Sequence, residues 1–240
     1  MTEQTAAFAP QRTARITAVL FLLTILTGVF AQIFVSNRLI VSGDAAATAT
    51  NITQNRSLYQ WGFTIYMLEM GFQVAVTALF YLLLKPVNRS VALVATCLGL
   101  LGCVIKTLGR LFYLSPLFIL GNAHYLSVFT PEQLRALTLL FLDLNDHAAG
   151  MGLAFFGLQG LLRGYLLFRS TFLPRVLGAM TAISGVGLLT FLSPSLGYRL
   201  FPIVAAVGLL GSAAMILWLL VFGVNEQRWK ERAMAARGGW

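Results

Sequence analysis

Six apolar runs, at about 16–36, 58–84, 91–113, 137–168, 175–192 and 200–224, fill most of this chain. Each is close to or above the ~20 residues that a helix needs to cross a hydrocarbon layer of ~30 Å. None alternates apolar and polar positions with a period of two, so strands are not indicated. Apolar character on all sides of a helix points to a lipid environment instead of a water-facing stripe. The pattern predicts an all-α fold: a polytopic transmembrane helix bundle of six spans, forming one transmembrane domain over residues 1–240.

The interruptions are sharp. Pro86 in KPVNRS, Pro116 after Ser115, Pro174 before Arg175 and Pro194 within SPSLGYR each stop a helix or force a turn. The longer polar connection, Asn37 to Ser57, holds a short segment DAAATATNI. Ser42 is the expected cap of a helix there, lying at the interface. The fourth run begins earlier than its apolar part. Thr130 suits an N-cap, Pro131 the first turn, and Glu132 and Gln133 follow it. No further proline occurs before Arg169, so one continuous helix of ~60 Å is expected, reaching outward past Asp143. Gly150-Met-Gly152 is its weakest point.

Composition sharpens this picture. Hydrophobic residues make up 58% of the 240 and charged residues 10%, with a mean hydropathy of +0.80. Soluble domains carry about 25% charged residues. A net charge of +9 would suit nucleic acid if the basic residues formed one face. Here they cap the apolar runs. Arg12, Arg15, Lys85, Arg89, Arg169, Arg175, Arg228, Lys230, Arg232 and Arg237 fall on one side, against Arg38, Arg56, Arg135 and Arg199 on the other. That asymmetry places both termini in the cytoplasm and argues against a nucleic-acid partner. Cys97 and Cys103 share one apolar run and read as buried thiols. Gly160 and Gly164 form GxxxG, followed by Gly185, Gly187, Gly208 and Gly211, which suit close helix packing in lipid.

Charge inside the runs is the candidate chemistry. Glu69 stands 15 residues before Leu84 and Lys106 stands 15 after Val91. At ~1.5 Å per residue, both lie roughly 22 Å above the cytoplasmic boundary, level with Gln32. Arg110 and His147 come out near ~30 Å, with Asp146 and Asp143 at or just beyond the edge. Opposite sign and equal depth make Glu69 and Lys106 expected partners, and Asp143 and Asp146 stand within reach of Arg110. Gln32, Glu69, Lys106, Arg110, Asp143, Asp146 and His147 are thus the candidate ligand-binding residues. A self-neutralising structural network, a pocket for a small polar or anionic solute, and a regulatory membrane partner all fit them. An intramembrane metal hydrolase on Asp143, Asp146 and His147 is the further alternative. Only His124 joins His147 in the chain, and neither HExxH nor GxSxG occurs. No catalytic residue, metal or cofactor is therefore assigned, and the balance is against an enzyme.

LLTILTGVFAQIFVSNRLIVSGDAAATATNI from Leu22, LLLKPVNRS from Leu82 and the stretch from Pro131 to Gly178 resemble a prokaryotic membrane protein family, domain of unknown function 4386. The resemblance implies a multi-pass protein of the bacterial cytoplasmic membrane. It supplies no activity, substrate or catalytic residue. That family often carries a histidine where this chain has Gln159 in FFGLQGLL, which implies that a metal at that level does not suit this chain.

Overall fold

A computed structural model describes residues 9–121 and 123–236 of the chain; the first eight residues, Arg237 and the remaining C-terminal residues lie outside the described part. The described residues are helical, with no strand among them. Six helices are long and apolar enough to cross a membrane: α1 (Pro10–Leu39), α3 (Arg56–Leu84), α4 (Arg89–Leu114, continued by the short helix Pro116–Ile119), α5 (Pro131–Arg169), α6 (Arg175–Leu189, ending in a 3-10 turn to Leu192) and α7 (Pro194–Val221). Two shorter helices complete the set, α2 (Ala45–Gln54) before α3 and α8 (Glu226–Ala235) after α7.

Local chemistry explains the ends. Thr130 and Gln133 close a reciprocal capping box at the start of α5, which then runs unbroken through Gly150 and Gly152 to Arg169. Asn88 caps α4 by accepting from the Val91 N–H, and Asn225 caps α8 through Arg228. The expected cap of α2 is corrected: Asp44, not Ser42, accepts from the Ala47 N–H at 2.8 Å. Gly43, at φ +76°, reverses the chain immediately before it, so Ser42 lies on the wrong side of the turn. Near its outer end α1 widens into a π-helical stretch, Ala31–Ser36. There the Asn37 N–H donates to the Gln32 carbonyl, and Gln32 Nε2 donates to Asn37 Oδ1 at 2.9 Å. Backbone and side chains of the same two residues thus bridge five positions.

Packing is organised on α5, which lies against α4 on one side and α6 on the other. Glycines set both approaches. Gly102 and Gly109 of α4 meet Phe156 and Ala148, while Gly157, Gly160 and Gly164 of α5 face Gly178, Ala182 and Gly185 of α6. A Cβ on Gly164 would stand 2.7 Å from the Ala182 backbone nitrogen. Large apolar side chains such as Leu26, Leu108, Ile183, Leu210 and Leu217 point outward. Soluble monomers do not expose apolar surface on this scale. Cys97 also lies on this outward surface, while Cys103 is buried. This corrects the reading of both as buried: in an apolar run the lipid face and the packed face have the same composition.

Two buried clusters fill the interior. One joins Phe21, Phe80, Leu83, Leu166, Leu173, Leu219 and Trp229; the other joins Val35, Leu39, Ile52, Tyr59, Tyr66, Tyr113 and Leu142. At the first cluster α8 folds back beneath the bundle. Trp229 Nε1 donates to the Leu83 carbonyl at 2.9 Å. Gln11 donates to the Phe222 carbonyl and accepts from the Val224 N–H. The beginning of α1 and the end of α7 therefore share one end of the bundle. The basic caps gather at that end, which the charge asymmetry leads us to expect on the cytoplasmic side. Reporter fusions at Gly121 and Trp240 are expected to report opposite sides of the membrane. The same side for both would overturn the six-span topology.

Candidate functional site

The buried charges are placed by helix register and by the glycines opposite them. Glu69 of α3 and Lys106 of α4 meet at 3.0 Å, with 11% of each side chain exposed. Gly28 of α1 faces the Glu69 carboxylate, and a Cβ there would stand 3.2 Å from it. Gly152 of α5 faces the Lys106 stem, where a Cβ would stand 2.6 Å from Cγ. Four helices thus converge on one ion pair, and missing side chains on two of them make the room. Lys106 occupies Oε1 of the carboxylate; Oε2 is buried without a hydrogen-bond partner.

One turn outward, Arg110 is 6% exposed. Its guanidinium carbon lies 3.5 Å from the centroid of the Tyr66 ring and 5.8 Å from that of Tyr113. Nη1 donates to Asn145 Oδ1 at 3.0 Å, and Asn145 Nδ2 donates to Asp146 Oδ1 at 2.9 Å. The expected contact between Arg110 and a carboxylate is therefore relayed through an amide. Tyr66 carries the network to α1: its hydroxyl donates to Gln32 Oε1 at 3.0 Å and shares 2.9 Å with Ser36 Oγ. The π stretch of α1 supplies both of those partners. Tyr59 stacks on Tyr113 with centroids 4.5 Å apart, and its hydroxyl donates to the Tyr113 carbonyl.

Asp143 and His147 belong to the same helix but not to this layer. Both are exposed. His147 Nδ1 lies 2.8 Å from the Asp143 carbonyl oxygen, and its ring packs edge-on near Tyr198. Among the described residues no three His, Cys, Asp or Glu side chains converge as metal ligands do. The structure therefore places Gln32, Glu69, Lys106, Arg110 and Asp146 in one layer across the helices and leaves Asp143 and His147 at its rim.

Several residues of this layer carry no formal charge and so gave no signal in an apolar run. Tyr66 is one helical turn from Glu69, Tyr113 one from Arg110, and Asn145 sits beside Asp146. Sequence reasoning also passed over Arg163, which lies inside the apolar half of α5, six residues before Arg169. Its guanidinium carbon is 4.7 Å from the Phe80 ring centroid and 6.0 Å from that of Phe21. Nε and Nη1 are buried with no hydrogen-bond partner. Insertion of an arginine costs ~2.5–3.5 kcal/mol at the bilayer centre. A desolvated cation–π contact returns about 2 kcal/mol, and a charged hydrogen bond ~1.5–3. Arg110 has both compensations, whereas Arg163 has only the weaker, more distant ring contacts.

A small cleft beside Arg163, about 10 Å³, lies between α3, α4 and α5 and is lined by Thr77, Phe80, Thr96, Gln159 and Arg163. A wider one, about 410 Å³, opens away from these groups between α2, the Pro116–Ile119 helix and the start of α5, with Arg135 on its wall.

A family model described as "Domain of unknown function (DUF4386)" matches residues 16–223. No curated protein and no solved structure matches the chain.

Proposed function

Because the chain belongs to the family described as domain of unknown function 4386, a description that carries no activity, we propose a function from the charged layer itself: binding of a small polar solute or ion, and its passage across the membrane. One observation carries this reading. Glu69 Oε2 and Arg110 Nε are both buried and unpartnered, and Arg110 stands one turn of α4 beyond the Lys106 that pairs with Glu69, in a layer otherwise knitted by hydrogen bonds. An acceptor and a donor left open in one layer suit a solute with both kinds of group. Ionisable residues within membrane spans are costly, and they recur along solute, ion and proton pathways. The Glu69 carboxylate exchanges Lys106 for solute or proton, and Arg110, held flat on Tyr66, attracts the anionic end. Asn145 and Asp146 link this layer to the outer face.

Vesicles containing the purified chain and a pH-sensitive dye, challenged with amino acids and with monocarboxylates, test this. A solute-dependent proton flux is expected, and it is lost when Glu69→Gln and Lys106→Met are combined. Equal flux in the unsubstituted and doubly substituted chains would make the layer a packing device. The outcome in which neither chain passes any of these solutes favours the structural reading, which the glycine-seated fit of the pair also supports.

A further inference from the structure

The inner cleft holds a cation without a counter-ion. Arg163 enters it from α5, with Nε and Nη1 buried and unpartnered. Among the described residues the ion pairs are Lys106 with Glu69 and Lys230 with Glu226, and no carboxylate lines this cleft. The remaining polar groups on its wall are hydroxyls and an amide. Thr96 donates to the Ala92 carbonyl. Thr77 instead accepts from Gln159 Nε2 at 3.4 Å, which leaves its own proton free to donate. Gly99 keeps the amide in place, since a Cβ there would overlap the Gln159 side chain. Two guanidinium nitrogens and the Thr77 hydroxyl therefore present hydrogens, Tyr81 adds a further hydroxyl-bearing side chain to the wall, and no negative charge there receives them.

Size narrows the occupant. About 10 Å³ is on the order of the room of one water-sized particle, which suits a monatomic ion better than a phosphate or carboxylate. Depth narrows it further, for Arg163 lies six residues inside Arg169, roughly 9 Å from the cytoplasmic boundary. A lipid head group would have to leave its own layer to reach it. A water would satisfy a donor but not the charge. We propose that this cleft is a binding site for a small monatomic anion of the halide class, held by Arg163 and Thr77. The site shares no lining residue with the charged layer that holds Glu69 and Lys106 and does not depend on transport through that layer.

Thermal unfolding of the purified full chain in neutral detergent tests the proposal, with potassium chloride exchanged for potassium gluconate at constant ionic strength. The midpoint is expected to rise with chloride and to saturate. Arg163→Met abolishes the rise, and in gluconate that variant unfolds no earlier than the unsubstituted chain, because a buried charge without a partner is gone. Thr77→Val keeps the cation and is expected to raise the chloride concentration needed for half the effect by roughly tenfold or more, the loss of one hydrogen bond to a charged group. Line broadening of the chloride nuclear resonance, reversed by bromide, gives the same comparison for Thr77→Val should Arg163→Met fail to fold. A chloride response unchanged by Arg163→Met overturns the proposal, as does a chain indifferent to chloride. A response confined to inorganic phosphate, or to phosphatidylglycerol in nanodiscs, overturns it equally and assigns the cleft to a phosphate group.

Discussion

Glu69→Gln and Lys106→Met are each expected to reduce the folded yield in detergent sharply, while the two together recover much of it. Breaking a buried pair costs ~3–5 kcal/mol, because the survivor keeps its charge and loses its partner. Here the survivor has no ready substitute. Glu69 Oε2 is already unpartnered, and the Lys106 stem is held in place against Gly152. Removing both groups leaves neutral side chains of similar volume in the same space, which is often tolerated. Exchanging the two residues is expected to recover the yield only in part. The longer side chain would then start from α3, beneath Gly28, where even a Cβ would stand 3.2 Å from the present carboxylate. Size-exclusion recovery of the four chains measures the coupling. Harmless single changes, or a double change that is additively worse, would mean that the 3.0 Å contact contributes nothing to folding.

The second large effect concerns the seam between α5 and α6. Gly164→Ala adds one methyl group that would stand 2.7 Å from the Ala182 nitrogen and 2.8 Å from the Gly178 carbonyl oxygen. Both obstacles are backbone, so no rotamer change relieves them. The helices must separate along the seam, at a cost of ~1–3 kcal/mol typical of overpacking. Because association in lipid relies on close packing without a hydrophobic drive, the separation is not compensated elsewhere. Gly208→Ala is the matched control, since nothing lies within 4 Å of a Cβ there. That change is expected to be neutral or mildly stabilising, as alanine holds a helix better than glycine. Thermal midpoints in detergent compare the two. Equal midpoints would show that the seam tolerates widening.

These two sites differ in how far the sequence discloses them. Depth along a span follows from counting residues to the nearest basic turn, and that sufficed to put Glu69 level with Lys106. Rotation about the helix axis does not follow from counting. In water an amphipathic stripe reveals it; in lipid the outside of a bundle is as apolar as the inside. Cys97 was assigned to the wrong face for that reason. Asn145 and Tyr66, which hold Arg110, are neutral, so neither cost nor charge balance drew notice to them. Arg163, six residues inside Arg169, has no opposite charge at its own depth to pair with, so the depth count that joins Glu69 to Lys106 does not single it out. The π stretch of α1 left no trace in composition, although its Gln32 was recognised as level with the charged pair. The continuity of α5, by contrast, was legible from Thr130 and from the absence of any proline between Pro131 and Arg169.

The fold-back of α8 bears on the order in which the protein is made. Gln11 waits for Phe222 and Val224, and the Leu83 carbonyl waits for Trp229. At the ~5–20 residues per second of protein synthesis, roughly 10–40 seconds pass between the appearance of Gln11 and that of Trp229. Through that interval α1 has α3 beside it but not α7, and the Leu83 end of α3 stands uncovered. A membrane chaperone or insertase would find its longest opportunity at the face of α1 carrying Ala14, Ala18 and Phe21, all buried once the bundle has closed. Assembly is thus timed by the chain itself: its first span is released from waiting by the helices that emerge last among those described.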